Sequence, residues 1–359
     1  PNPDGLCLVV DDPLAALQQF AAYHRKKLRL SVIAITGSCG KTTTKDMIAE
    51  VLGERYRVVK TKGNLNNEIG CPLSLLEIDD RTEKAVIEMG ASHPGDISEL
   101  CRMAQPTESA VTLVAPAHLE GFGSIQRVAE TKAEIVEALP PDGVFYVNMD
   151  DEWCVRMSEK FLGKKIRYGT RGDIVLKSFH RENSGEMRLV IDPLGEMLLP
   201  LPSSAHITNV LLAVAVGMHH GVGMRHGVCD TPRYYEIPLR RALENSNRFK
   251  VSQVAGVEII DDTYNANPAS MRAALKALAE RAAAPRIAVL GDMLELGEQA
   301  KFYHRQLGRE AANLGIDCVF VRGSFAEDVV AGAREEHIRH AEVIQDPQEL
   351  AHAVYAELR

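Results

Sequence analysis

The feature that most constrains the fold of this chain is a short apolar strand that runs directly into a glycine-containing turn. Residues 33–44 read Ile-Ala-Ile-Thr-Gly-Ser-Cys-Gly-Lys-Thr-Thr-Thr. Glycines let backbone N–H groups approach an anion, and the partial positive charge at the start of the following helix stabilises it. Lys41 would reach the outer phosphates of a nucleotide, and the hydroxyl of Thr42 or Thr43 would bind Mg²⁺. The pattern predicts a triphosphate site at the end of a buried strand.

The glycine spacing is tighter than in the general phosphate-binding loop. That loop carries a glycine five positions before the glycine of Gly-Lys, where this chain has Ile35. The first glycine is instead Gly37, which gives Gly-x-x-Gly-Lys-Thr-Thr. A glycine-rich turn without a ligand is the alternative, and the complete order of strand, glycines, lysine and threonines favours the phosphate site.

The composition is typical of a soluble protein with two or three domains. The chain has 359 residues, of which 45% are hydrophobic and 25% charged. It contains no apolar run long enough for a membrane span. Its seven cysteines are scattered without a Cys-x-x-Cys pair, which favours free thiols in a reducing cytoplasm. The net charge of −8 argues against nucleic acid as the main partner.

Apolar strands alternate with amphipathic stretches along most of the chain, which predicts an α/β fold with a mostly parallel sheet. Short alternating runs between turns predict a small β-meander within residues 171–201. A strand is expected at Leu6–Val10 and a helix from Pro13 to about Lys26. The predicted domains are a remnant or linker at 1–28, a central P-loop-type domain at 29–247 and a C-terminal Rossmann-like α/β domain at 248–359.

The C-terminal domain is predicted to repeat the alternation of strands and helices. Its strands are expected at Val257–Asp261, Arg286–Leu290 and Asp317–Val321. Its helices are expected at Pro268–Ala283, Lys301–Leu314, Ala326–His337 and Pro347–Leu358.

Three polar residues in the central domain are candidates for catalysis or metal binding. Glu88 ends an apolar strand, at the sheet edge where α/β proteins bind ligands, and its carboxylate could hold Mg²⁺. His118 follows another strand end, so it would share that edge with Glu88 and Thr42. Lys132 lies on a helix predicted at 125–139. The alternative for each is ordinary: a solvated strand end, a polar loop residue and a solvated helix lysine.

Two polar loops can be interpreted either as structural or as functional segments. Asn64, Asn66 and Asn67 lie between two glycines, where they suit turns or the recognition of a polar substrate. Asn267 precedes Pro268, so it suits a helix cap as well as a site.

Two charged residues of the C-terminal domain could complete a nucleotide site. Asp262, at a strand end, could accept hydrogen bonds from a ribose. Arg248 is the cation that this domain could add to the phosphate site.

Five strings of this sequence resemble the Mur ligase family. They are residues 35–45, 63–73, 116–124, 261–271 and 289–298. The first is shared across that family, and the other four resemble the members that attach D-Ala-D-Ala to UDP-MurNAc-tripeptide. The resemblance covers about residues 5–350. It implies an ATP-dependent ligase that forms an amide bond through an acyl phosphate in peptidoglycan precursor synthesis.

The resemblance also implies a role for each site residue. Catalysis is assigned to Lys41, Lys132, His118 and Arg248. ATP binding is assigned to Gly37, Ser38, Cys39, Gly40, Lys41, Thr42, Thr43, Asn209, Arg248, Asp262 and Tyr264. Two Mg²⁺ ions are assigned to Thr42, Glu88, His118 and Lys132, the last as N6-carboxylysine. Substrate contacts are assigned to Asn64, Asn66, Asn67, Asn267 and Ser270.

The implied substrates are UDP-MurNAc-tripeptide and D-Ala-D-Ala, bound by a cytoplasmic monomer that has no nucleic-acid or membrane partner. Departures from the family pattern keep two alternatives open. Residues 112–116 differ from the usual Thr-Asn-Ile-Gly-Pro, only two residues separate His206 from Asn209, and the neighbours of Arg248 resemble other Mur ligases. The alternatives are a Mur-like ligase for another carboxylate and amine, and a non-catalytic nucleotide-binding subunit.

The resemblance further implies an N-terminal UDP-binding domain and a final strand that this sequence lacks. Residues 1–28 read as the closing residues of that domain. Two explanations fit this pattern: a trimmed form of a longer protein, and a natural form that does not recognise UDP. We favour trimming.

Overall fold

The computed structural model describes residues 9–225, 228–229, 232–281 and 284–358. The strand predicted at Leu6–Val10 falls mostly outside these residues, as does the predicted end of the helix at 282–283. Helix α1 (Pro13–Lys27) is present as expected, because the Asp12 carboxylate accepts hydrogen bonds from the N–H groups of Leu14 and Ala15.

A single nine-stranded sheet forms the centre of the molecule. Its strands are β1 (Ser31–Thr36), β2 (Val58–Lys60), β3 (Lys84–Glu88), β4 (Glu108–Val111), β5 (Val144–Asn148), β6 (Lys164–Gly169), β7 (Ile174–Arg181), β8 (Met187–Asp192) and β9 (Gly195–Leu199). They lie in the order β2-β3-β1-β4-β5-β6-β7-β8-β9. Pairing is parallel from β2 to β7 and antiparallel from β7 to β9. The predicted meander therefore exists, but it extends the central sheet.

Helices cover both faces of the parallel strands. They are α2 (Lys41–Gly53), α3 (Gly70–Leu76), α4 (Asp96–Ala104), α5 (Leu119–Phe122), α6 (Ile125–Glu137), α7 (Glu152–Lys160), α8 (Ile207–His219) and α9 (Arg233–Glu244). A two-stranded ribbon of β10 (Met224–Arg225) and β11 (Val228–Cys229) precedes α9. Strand β1 is buried on both faces, with Val32 and Ala34 in one apolar cluster and Ile33 and Ile35 in another.

The described residues of the C-terminal part form two separate sheets. Strands β12 (Lys250–Val254) and β13 (Val257–Asp261) form an antiparallel hairpin, and β14 (Ile287–Leu290), β15 (Cys318–Val321) and β16 (His340–Val343) form a parallel sheet. Its helices are α10 (Pro268–Arg281), α11 (Ala300–Asn313), α12 (Ala326–Glu335) and α13 (Pro347–Glu357).

The predicted alternation is thus correct for β14 and β15, but β13 belongs to a hairpin. The turn between β12 and β13 has positive φ at Ala255 (50°) and Gly256 (84°), as a two-residue hairpin turn requires. The α/β class predicted from the sequence is confirmed. None of the described helices is both long and apolar enough to cross a bilayer.

Candidate active site

A cavity of about 760 Å³ lies at the carboxyl ends of β1 and β3, between the central sheet and the C-terminal part. Most of the residues predicted from the sequence line it. These are Ser38, Cys39, Gly40, Lys41, Thr42, Thr43, Asn64, Asn66, Asn67, Glu88, His118, Asn209, Arg248, Asp262, Tyr264, Asn267 and Ser270. Gly37 and Lys132 are not among the residues that line the cavity.

The glycines of the phosphate loop are required by close packing. Gly37 has φ +145°, and a Cβ there would lie 1.9 Å from Oγ1 of Thr112. Gly40 has φ +83°, and a Cβ there would lie 2.9 Å from Oδ1 of Asn209. Helix α2 begins at Lys41, and no described side chain caps it. Its first N–H groups are therefore free to bind an anion.

The loop is fixed by hydrogen bonds to the segment that follows β4. Oγ1 of Thr112 donates to the carbonyl of Cys39 at 2.6 Å, and Oγ of Ser38 donates to the carbonyl of Ala115 at 2.8 Å. Burial raises the pKa of the Cys39 thiol, so it stays protonated. The Lys41 ammonium lies over the loop and donates to the carbonyl of Gly37 at 2.7 Å.

Glu88 is almost fully buried at the end of β3, with 1% of its surface exposed. Its Oε1 accepts hydrogen bonds from Oγ1 of Thr42 at 3.2 Å and from Nδ2 of Asn66 at 2.7 Å. Its Oε2 makes no hydrogen bond with any residue that the structure describes. A buried carboxylate oxygen without a donor is suited to a cation.

Lys45 is a site residue that the sequence interpretation missed. It is 1% exposed, its Nζ lies 3.9 Å from Oε2 of Glu88, and it donates to the carbonyl of Gly63 at 3.2 Å. It therefore ties the asparagine loop to the buried carboxylate. The only sequence signal was its position one helical turn after Lys41.

The asparagine loop combines both interpretations that the sequence left open. Asn66 orients Glu88, and the Asn67 carboxamide accepts a hydrogen bond from the N–H of Gly70 at 2.9 Å, which begins α3. Asn64 accepts from the N–H of Asn66 at 2.7 Å. Local bonds therefore hold the loop, while all three asparagines border the cavity.

His118 lies in a left-handed backbone conformation with φ 53°, directly before α5. Its Nδ1 hydrogen-bonds the carboxylate of Glu295, which belongs to the C-terminal part. Its ring also packs edge-on against Phe122, with ring centroids 6.5 Å apart. The hydrogen bond between His118 and Glu295 joins the two parts, and the sequence pattern did not predict it.

Lys132 is buried beside Phe122, with 2% of its surface exposed. Its Nζ lies 5.9 Å from the centroid of the Phe122 ring. Burial, with a smaller effect from the Lys41 charge, lowers the pKa of Lys132 to about 7. A substantial fraction of this amine is therefore neutral near pH 7, which the solvated-lysine alternative does not predict.

Arg248, Asp262 and Tyr264 form the wall contributed by the C-terminal part. The guanidinium carbon of Arg248 lies 3.0 Å from the centroid of the Tyr264 ring. Burial raises the pKa of Asp262 to about 6, against the opposing effect of the Arg248 charge. Both side chains line the cavity, where the Arg248 cation suits phosphate groups and the Asp262 carboxylate suits hydroxyl groups.

Asn267 caps α10 and also touches the phosphate loop. Its Oδ1 accepts from the N–H of Ser270 at 2.9 Å, and the Ser270 hydroxyl accepts from the N–H of Asn267 at 3.0 Å. Its Nδ2 donates to the carbonyl of Ser38 at 3.4 Å. The structural and the functional interpretation of Asn267 are therefore compatible.

Among the further residues that line the cavity are six to which the sequence analysis assigned no role in the site. They are Ser92, His93, Asp96, His206, Phe249 and Asn265. His206 packs edge-on against Phe249 with centroids 5.0 Å apart, and burial lowers the pKa of His206 to about 4. Nδ1 of His206 is buried without a hydrogen bond to a described residue. An imidazole in this position stays neutral at pH 7.

The donor set fits one Mg²⁺ ion. Thr42 and Glu88 offer the oxygen ligands that this ion prefers, and the unbonded Oε2 of Glu88 is one of them. A second ion near His118 would need a further oxygen ligand, because an unmodified Lys132 amine offers no oxygen and becomes a cation when protonated.

Two family models match this chain in order. The model of the Mur ligase middle domain matches residues 35–217, and the model of the Mur ligase, glutamate ligase domain matches residues 247–359.

Individual proteins show the same similarity. The UDP-N-acetylmuramoyl-tripeptide--D-alanyl-D-alanine ligase of Bacillus subtilis (strain 168) is 35% identical, over 93% of this chain and 72% of that protein. A crystal structure of MurF from Acinetobacter baumannii has a TM-score of 0.87 at 32% identity, and covers 97% of this chain and 75% of that chain. A MurF ligase from Thermotoga maritima in complex with ADP has a TM-score of 0.84 at 30% identity, covering 100% of this chain and 81% of that chain. On these matches the chain belongs to the Mur ligase family and is an ATP-dependent amide ligase of peptidoglycan synthesis.

Proposed function

We propose that this protein joins D-Ala-D-Ala to UDP-MurNAc-tripeptide and uses ATP to activate the tripeptide. The observation that carries the proposal is the shared cavity, because it brings the phosphate loop, Glu88 and His118 of the central part together with Arg248 and Asp262 of the C-terminal part. The substrates named for the relative from Bacillus subtilis, and the ADP bound to the relative from Thermotoga maritima, support this choice.

The chemistry needs an activated carboxylate. The terminal carboxylate of the tripeptide attacks the γ-phosphorus of ATP, which releases ADP and leaves an acyl phosphate. The amine of D-Ala-D-Ala then attacks the acyl carbon, loses a proton, and expels phosphate to form the amide. Both steps move negative charge onto phosphate oxygens, so positioned cations and N–H groups lower their barriers.

Different residues bind the phosphates, the metal ion and the ribose in this reaction. The backbone N–H groups at the start of α2 and the ammonium of Lys41 hold the phosphates, and Arg248 approaches them from the opposite wall. Thr42 and Glu88 would hold Mg²⁺, which supplies neutralising charge to the phosphates when bound. Asp262 accepts hydrogen bonds from the ribose.

The positions of other lining residues assign the remaining substrate contacts. Asn209 and Tyr264 contact the nucleotide, whereas the asparagine loop, Asn267 and Ser270 border the acceptor substrates.

We assign Lys132 as a lysine that reacts with CO₂. Its neutral amine can attack CO₂ to give a carbamate and release a proton, which would convert the amine into an oxygen ligand for a second metal ion near His118. A Lys132→Ala variant should lose most activity and recover part of it with short-chain carboxylic acids. Full activity of the variant without additives would contradict this role.

The deciding experiment measures phosphate release from ATP while each substrate is omitted in turn. We expect release to require both UDP-MurNAc-tripeptide and D-Ala-D-Ala. Release that ignores the dipeptide would overturn the ligase assignment, and release with a different amine or carboxylate would favour the alternative Mur-like ligase. A Lys41→Ala variant is the negative control, because it removes the phosphate-binding ammonium.

The remaining sequence predictions belong to the same proposal. They are the domain limits at 1–28, 29–247 and 248–359, a monomeric state and a cytoplasmic location. Each can be tested on the full chain. Size-exclusion chromatography with light scattering measures the oligomeric state directly.

A further inference from the structure

His118 is oriented by a side chain from the opposite part of the molecule. Its Nδ1 forms a hydrogen bond with a carboxylate oxygen of Glu295. An ionised carboxylate can only accept hydrogen bonds, so Nδ1 must carry the proton. In a neutral ring this leaves the lone pair on Nε2, the other ring nitrogen.

Glu295 is held in a well-anchored loop after β14. The neighbouring Met293 is fully buried, and its N–H donates to Nε2 of His304 at 2.9 Å. The Asp292 carboxylate accepts from the N–H of Ser324 at 2.7 Å. The loop therefore presents the Glu295 carboxylate from a fixed base.

The contact between the two parts has a backbone component as well. The N–H of Glu120 donates to the carbonyl of Glu295 at 3.0 Å. Both His118 (φ 53°) and Glu295 (φ 60°) are in the left-handed region, which is unfavourable for residues with a side chain. Two residues in this uncommon backbone conformation therefore meet at the contact between the two parts.

We propose that Glu295 is a positioning residue for His118, which selects its Nδ1–H tautomer so that Nε2 is the nitrogen available for ligation. This inference rests on the proposed function, in which His118 holds a metal ion near the transferred phosphate. Metal-binding histidines commonly donate their second ring N–H to a carboxylate, which fixes the ring and makes it a better ligand. Here the carboxylate comes from the other part, so His118 is fully oriented only when the two parts are in contact.

The direct test is the tautomer of His118, read by NMR of protein labelled with ¹⁵N-histidine. The signal is assigned by its loss in a His118→Gln variant. We expect the Nδ1–H form in the native protein and a mixture with the Nε2–H form in Glu295→Ala. The matched control is Glu298→Ala, which removes an exposed carboxylate three residues further along the chain. An Nε2–H form in the native protein, or an unchanged signal in Glu295→Ala, would overturn the proposal.

A second measurement separates positioning from nucleotide binding. In Glu295→Ala we expect kcat to fall about 10–100-fold, as loss of such a carboxylate typically does. KM for ATP should stay within about twofold, because Glu295 is not among the residues that line the nucleotide cavity. Glu295→Gln keeps a hydrogen-bond acceptor and should recover part of the activity. A native protein that ligates normally beside a Glu295→Ala variant with unchanged kcat would refute the positioning role alone. A native protein without dipeptide-dependent turnover would refute the proposed function, and the NMR test would still decide the tautomer.

Discussion

The two walls of the cavity are supported in different ways. The phosphate loop follows β1, which is buried on both faces, and Gly37 packs directly against Thr112. Asp262 and Tyr264 instead follow β13, whose residues are half-buried or exposed in a two-stranded hairpin, and 55% of Tyr264 is exposed. The phosphate wall is thus a continuation of the core, whereas the other wall depends on where the C-terminal part lies. Substitutions in the first should disturb folding and binding together, and substitutions in the second should disturb binding alone.

The largest effect is expected for Gly37→Ala, since the new Cβ would lie 1.9 Å from Oγ1 of Thr112 at a φ of +145°. Overpacking and backbone strain together should lower the free energy of unfolding by about 3 kcal/mol. Nucleotide binding should be lost with it. Urea unfolding and ATP titration measure the two effects.

Gly53→Ala is the matched control for that substitution. A Cβ at Gly53, the last residue of α2, meets nothing within 4 Å, so this variant should be neutral or stabilised by about 0.5 kcal/mol. Normal ATP binding by Gly37→Ala would break the contrast between the walls.

The next effect is expected for Lys45→Met, which leaves the buried Glu88 without its ion-pair partner. Breaking a buried pair typically costs about 3–5 kcal/mol, and we expect about 3 kcal/mol because Thr42 and Asn66 still bind Glu88. Lys60→Met is the control, because Lys60 is 36% exposed and pairs with Asp46 at 2.9 Å. That control should change stability by less than about 1 kcal/mol. Equal unfolding free energies for the two variants would contradict the role of Lys45.

A smaller effect, confined to binding, is expected for Asp262→Asn. Loss of one charged hydrogen bond to the ribose should raise KM for ATP about 10-fold, while the free energy of unfolding stays within about 0.5 kcal/mol. Asp261→Asn is the neighbouring control, because its carboxylate bonds locally to Thr263 at 2.7 Å. A fall in stability as large as that of Lys45→Met would show that this wall is also part of the core.

The smallest effect is a pH dependence of stability from His206. Its folded pKa of about 4 lies below the ordinary value of 6.5, so the unfolded state binds the proton more tightly between these values. The stabilisation is complete above about pH 6.5 and is lost as the pH falls towards 4. Urea midpoints at pH 7 and pH 5 should therefore differ more for the native protein than for His206→Gln. His180→Gln, at a side chain that is 59% exposed, should resemble the native protein.

The phosphate loop was predictable because its information is local. The buried strand, the glycines, Lys41 and Thr42 follow one another directly along the chain. The apolar run before Glu88 likewise marks the end of β3. Asp262 and Asn267 were predictable for the same reason, because each stands where a regular element ends or begins.

Contacts between distant segments were not predictable. Sequence analysis missed the hairpin strand β12, because its five residues alone do not reveal their partner. It also missed Lys45 as the partner of Glu88, which lies on another element. Both depend on how elements pack, and residue pattern reports only which face of an element is apolar.

The sequence by itself determined the phosphate loop, the α/β class and the chemistry that the site residues can support, because these follow from residue type and short-range spacing. Only the tertiary structure decided which residues face one another. Thr112 fills the space that Gly37 leaves, and Glu295 reaches His118 across 177 residues of chain. The physical reason is that such contacts are set by the packing of whole elements, and the same side chains would serve as ordinary polar residues if the two parts lay differently.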